Sequence, residues 1–87
     1  IGGFADGACA EAMNIAAIHG CNVIFVLAVH PLDADAPLGT QLGGDPGERA
    51  RALAIPVHRV TSDASAVRDA VAAARAAGGP HLVIADV

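Results

Sequence analysis

Asp6 stands immediately before an alanine-rich stretch, and a carboxylate in that position can accept from the orphan N–H groups at a helix start, so on type and spacing it is a helix N-cap candidate. His19, His30, His58, His81, Cys9, Cys21, Asp33 and Asp35 are the other side chains with chemistry to offer. The histidines have no HxH or HxxxH spacing, so they read as turn, surface or strand residues before metal ligands, with His30 nearest to a metal role. Cys9 lies near a helix start, where a thiol can become reactive, but its alanine neighbours favour a small buried thiol and no nucleophile is assigned. The two cysteines lack CxxC spacing, and in a reducing cytosol no disulfide is expected. Asp33 and Asp35 lack the remaining ligands and spaced glycine of a calcium loop, which leaves a solvated turn. Ile1 to Gly7 fails the GxGxxG order of a dinucleotide-binding turn. Glu11 and Asn14, three apart, make either a polar contact between helices or a solvated face.

The elements that must position these groups fit one small domain, or a piece of a larger one, spanning residues 1–87. With 54% hydrophobic and 16% charged residues the chain is too apolar for disorder and should fold or associate. Much of that apolar content is alanine, and Phe4 and Phe25 are its only aromatics, so little area is buried per residue. The run from Asn22 to Val29 is far shorter than the about 20 residues that span a bilayer, and no basic segment precedes an apolar one. The expectation is a soluble, cytoplasmic, membrane-free chain. Net charge is −4 and all five positive residues are arginines without a dense basic stretch, which argues against nucleic acid as a partner.

Ile1 to Phe4 reads as a strand end turning at Ala5-Asp6-Gly7-Ala8 into a helix over 8–19, which His19-Gly20 stops. Asn22 to Val29 is a continuous β-branched run, predicted to be a central parallel strand buried on both faces. His30 to Gly47 is rich in Gly, Pro and Asp and is predicted to be a long loop, of a length usually reserved for function or marking a removed element. Glu48 to Ala54 makes a turn or two of helix before Ile55-Pro56, and Val57 to Val60 is a strand. Thr61-Ser62-Asp63 offers cap chemistry to a helix whose apolar positions Val67, Ala70, Val71, Ala74 and Ala77 follow helical spacing, with Arg68, Asp69 and Arg75 facing water. Gly78-Gly79-Pro80 ends that helix, and His81 to Val87 is a last strand. Alternating strands and helices predict an α/β fold with a parallel sheet of about four strands and helices on its faces. Ligands in such sheets sit at the carboxyl ends of strands, here the loops at Ala5 to Ala8 and from His30 onward.

Asp6-Gly7-Ala8, Glu11-Ala12-Met13-Asn14-Ile15-Ala16-Ala17 and Val23-Ile24-Phe25-Val26 together resemble the thiamine-diphosphate-binding region of 2-oxo acid dehydrogenases, more narrowly the alpha subunit of their decarboxylating first component. That family carries a Gly-Asp-Gly-Ala turn, a Glu-Ala-x-Asn-x-Ala-Ala helix and a buried strand ending in Glu-Asn-Asn. Arg49 to Val60 resembles its helix, Gly-Ile-Pro turn and Val-Arg-Val-Asp strand, and Val67 through Pro80 into Leu82-Val83-Ile84 resembles its closing helix, Gly-Pro and strand. Nearly the whole chain is covered in the same order. The resemblance implies that Asp6 binds the Mg²⁺ bridging the cofactor diphosphate, and that Gly7 and Ala8 let backbone N–H groups approach phosphate at a helix start. Amides there favour anions, and carboxylate oxygen suits Mg²⁺.

The chain departs from the family in two places. Ala5 stands where the first Gly belongs, and residues between the turn and Glu11 are missing. Ala28-Val29-His30 replaces Glu-Asn-Asn, whose Asn is the second metal ligand; Ala and Val cannot coordinate, and imidazole suits Zn²⁺ or Ni²⁺ better than Mg²⁺. In the family the carboxylate that activates the cofactor belongs to a partner subunit. The expectation is thus a shortened or fragmentary alpha-subunit-like domain, binding thiamine diphosphate and Mg²⁺ at Asp6, Gly7 and Ala8. It would be inactive alone, with a beta-subunit-like partner or a homo-oligomer completing it. The alternative is a non-catalytic α/β domain that dimerises through its apolar helices.

Overall fold

The computed structural model describes residues 7–29, 32–33, 36–37, 44–61 and 63–86. In chain order these form α1 (Gly7–His19), β1 (Ile24–Val29), β2 (Leu32–Asp33), β3 (Ala36–Pro37), α2 (Pro46–Ala52), β4 (Val57–Thr61), α3 (Ala64–Ala77) and β5 (His81–Asp86). Among the described residues β1, β5 and β4 make a three-stranded parallel sheet in that order, and β2 pairs with β3 as a short antiparallel ladder. The α/β class stands. The predicted first strand, Ile1 to Phe4, lies outside the described residues.

Register assigns the faces. Phe25 aligns with Leu82 and Val57, and Leu27 with Ile84 and Arg59, so these share one face; Ile24, Val26, His81, Val83 and His58 share the other. The first face carries the main core, where Leu27, Val29, Leu82 and Ile84 meet Met13 of α1, Ala50 of α2 and Ile55. The second is covered by α3, whose Ala70 and Ala74 are buried and which touches all three strands. The step from β1 to β4 passes α2 over the first face, and the return from β4 to β5 passes α3 over the second. Two crossovers in opposite directions on opposite faces have the same hand, as the right-handed rule requires.

Among the described residues β1, the run expected at the centre, has a partner strand on one side and β5 has one on each: His81 to Ala85 are all buried, whereas on the second face of β1 Val26 is 59% exposed and Ala28 is exposed as well. Both runs are equally apolar, but β5 has a strand on either side and a helix layer on either face. The expected loop is also shorter at its end. Asp45 caps α2 by accepting from the Glu48 N–H at 3.1 Å, and Pro46 opens the helix, where its missing N–H is not needed. Ala77, expected on the buried stripe of α3, is exposed, and Asn22 precedes the strand it was assigned to. No helix among the described residues is long and apolar enough to cross a membrane.

Two helices end alike with different residues. At α1 the Cys21 N–H reaches the Ala16 carbonyl at 3.0 Å over Gly20, whose φ is 63°. At α2 the Ala54 N–H bonds Arg51 O at 2.9 Å and the Ile55 N–H bonds Ala50 O at 3.0 Å, over Ala54 at φ 59°. Both fit the Schellman pattern, in which the left-handed residue is usually glycine. Ile55 and Ala50 are each almost wholly buried, so the hydrophobic contact that accompanies this motif holds Ala54 in place against its preference.

Ala54→Gly is therefore expected to raise unfolding stability by about 0.5–1 kcal/mol, the relief of a left-handed alanine less the added chain entropy. Ile84→Ala, at a fully buried position of β5, should cost about 2–5 kcal/mol, and Val26→Ala about 0.5 kcal/mol. Urea titration of the three variants checks the ranking.

Candidate functional site

In a parallel sheet the helix that precedes a strand runs back along it, so the starts of helices gather where strands end. At that edge lie Val29, Thr61 and Asp86, which close β1, β4 and β5 in register, and Asp45 and Asp63, which open α2 and α3. Met13 of α1 belongs to the core that includes Val29, with Cys9 packed against it, and Gly7 opens this helix.

Two of these three helix starts are closed by the chain's own carboxylates. Asp45 accepts from the Glu48 N–H, and Asp63 accepts from the Ala66 N–H at 3.2 Å and from the Ser65 hydroxyl. At α1 the corresponding position falls on Asp6, outside the described residues, as does His30. Gly7 is exposed, and among the described residues a Cβ built on it would meet nothing within 4 Å.

Arg59 ties the rim together. Its Nε and Nη2 donate to the two carboxylate oxygens of Asp86 at 3.2 and 3.3 Å, and its Nη1 donates to Asp45 at 3.2 Å. These bonds raise the Arg59 pKa, with Asp86 contributing more than Asp45. For Asp45, partial burial pushes upward, but the Glu48 amide and the Arg59 guanidinium outweigh it and hold the carboxyl below its ordinary range. The Ser65 hydroxyl and then the Ala66 amide hold Asp63 low as well. Asp45 and Asp86 thus share the one positive charge of Arg59, which engages an oxygen of the first and both oxygens of the second.

Ala28 and Val29, at the end of β1, are aliphatic, and no group of three or more His, Cys, Asp or Glu among the described residues is placed to hold a metal. No family model matches this chain, and neither does any curated protein. What the chain can do rests on its residues and on the resemblance they carry.

Two arrangements were not anticipated. The Arg59 network had a signal: Asp45-Pro46-Gly47-Glu48 is a helix-opening pattern, with a cap, a proline at the first position and an acid two further on. The pairing of His58 with His81, 23 residues apart, had none, since it depends on strand register.

Asp45→Ala should destabilise the fold by about 1 kcal/mol through the lost cap. Because the folded carboxyl lies below its ordinary value of 3.8, that contribution is complete above about pH 4 and fades as pH falls through the folded value. Urea midpoints of the native and Asp45→Ala chains should therefore differ at pH 7 and converge toward pH 3.

Proposed function

We propose that the chain is an alpha-subunit-like thiamine-diphosphate-binding unit of the 2-oxo acid dehydrogenase type, cytoplasmic, with the cofactor's diphosphate at the α1 start. What supports this reading is the order of elements: the Asp6-Gly7-Ala8 turn leads into α1, and α1 into β1 of a parallel sheet, as in the resembled family. Backbone N–H groups at Gly7 and Ala8 would face the diphosphate, and Asp6 would ligate Mg²⁺. Thiamine diphosphate supplies, when bound, the carbanion chemistry that 2-oxo acid decarboxylation needs. This chain contributes binding and orientation only; with Ala28 and Val29 in place of donors the cation has one protein carboxylate, and affinity is weak. A beta-subunit-like partner, or a second copy, completes the site, and the chain alone is inactive.

The finer architecture belongs to the same proposal. α1 lies on the same face as α2, and a right-handed crossover through it puts any preceding parallel strand outside β1, away from β5. Ile1 to Phe4 in that place makes a fourth strand.

One observation favours a second reading, an assembly domain. α1 carries apolar residues on both sides: Met13 and Ala16 are buried, while Ile15 and Ile18 on the opposite side, beside Glu11, are 54% and 68% exposed. Helices of that kind are usually covered on both sides.

Titration calorimetry separates the two. The first reading expects a saturable, Mg²⁺-dependent heat with thiamine diphosphate that Asp6→Ala abolishes. Absence of heat at millimolar cofactor rejects it. Sedimentation that finds a concentration-dependent dimer, dispersed by Ile18→Glu, then establishes the second.

A further inference from the structure

His81 opens the central strand, and among the described residues it is the one buried polar side chain, 4% exposed. Its Nε2 lies 2.9 Å from the Gly78 carbonyl oxygen, which can only accept, so Nε2 carries the proton. A neutral His81 then presents a lone pair at Nδ1, and His58 Nε2, 2.9 Å away, must donate to it. The ring centroids are 5.2 Å apart with planes 27° from parallel, so the imidazoles meet end to end and not face to face. The result is a directional relay from His58 through His81 to the carbonyl of the α3–β5 turn.

That turn is under conformational demand. Gly78 and Gly79 have φ of 74° and 75°, and the Gly79 N–H is held by Asn22 Oδ1 at 2.7 Å, just before β1. An open groove of about 330 Å³ lies between these parts, lined by Asn22, Ile24, Ala74, Arg75, Gly78 and Gly79. The charges around the relay are few. Arg75 of α3 borders the groove, while Arg68 and Asp69 are exposed and pair with each other. On β1 this face holds Ile24, Val26 and Ala28, and Arg59 and Asp86 lie on the other side of the sheet. The last carbonyls of α3 carry partial negative charge and favour one positive ring near Gly78.

We propose that His58, His81 and Gly78 form a proton-operated latch on the α3–β5 turn. A first added proton, on His58 Nδ1, leaves the relay intact and makes its central bond charge-assisted. A second has only His81 Nδ1 to occupy, which sets donor against donor across 2.9 Å with Arg75 bordering the same turn. The latch then opens, freeing Gly78 and loosening α3 from β1 along the groove. The latched relay has room for one added proton, whereas two separated imidazoles have room for two, so added acid favours the open arrangement.

The test uses the 87-residue chain and the variant His58→Gln, whose amide can offer His81 either a donor or an acceptor. Between pH 6 and 5 the folding equilibrium constant of the native chain should fall about tenfold, and that of His58→Gln no more than about twofold. Nitrogen NMR at pH 7.5 should find His81 protonated at Nε2 and bare at Nδ1. Equal acid losses in the two chains, or a proton on His81 Nδ1 at neutral pH, would overturn the latch; the NMR arm holds even if the variant fails to fold.

Discussion

The burial of β5 is the constraint from which most of the molecule follows. A strand with neighbours on both edges and helices on both faces has no water to satisfy its polar groups, so its side chains must be apolar or bonded. Leu82 to Ala85 meet the first condition, and His81 meets the second through His58 and Gly78. The alanines of α3 answer the same demand: Ala70 and Ala74 allow the helix to lie close over Val83 and Ala85. A bulkier residue at either position would lift α3 from the sheet. The many alanines, which keep the buried area small, thus also permit close layers, and the main core is left to Leu27, Leu82, Ile84, Ile55 and Met13.

What could be read from the sequence was whatever local spacing decides. The helical stripe of Val67, Ala70, Val71 and Ala74, the glycine stop after His19 and the last apolar strand needed only nearest neighbours, and they lie where their periodicity puts them. The rank of β1 did not follow from such spacing. An unbroken run of β-branched residues describes a strand suited to burial, and whether burial happens depends on which other strands arrive beside it. The α2 start was missed because Pro46 and Gly47 read as turn residues until Asp45 is recognised as a cap. His58 and His81 illustrate the limit most clearly: their meeting depends on the β4–β5 register, which brings together residues from opposite ends of a crossover.

Of the residues singled out for the site, Gly7 and Ala8 begin α1 within a residue of the helix start that the sequence predicts, and Asp6 lies outside the described residues. The chemistry at the strand-end edge is divided. Asp45, Asp86 and Arg59 satisfy one another, so the acidic groups on the β4 side stabilise the rim and are not free for a ligand. On the β1 side the aliphatic Val29 is 7% exposed, so it serves the core and not the rim. In the proposed reading, binding rests on main-chain amides and one turn carboxylate. Such a set discriminates charge well and metal geometry poorly.

The side of β1 away from β5 bears on both readings of function. Val23 and Val26 are 39% and 59% exposed, and a strand edge of this character tends to recruit another strand unless it is covered or charged. β1 carries no charged residue between Ile24 and Val29, and so lacks the charge that commonly guards an edge. On the helix layer, Ile15 and Ile18 face outward with only Glu11 among their charged neighbours on that side of α1. The two exposures differ in kind. The edge of β1 offers backbone hydrogen bonds and asks for an extended segment, which the right-handed rule allows a strand preceding α1 to supply. The outer face of α1 offers side chains alone and asks for another apolar surface. A fourth strand would satisfy the first demand and leave the second standing, so in both proposed readings the outer face of α1 is the surface a partner would cover.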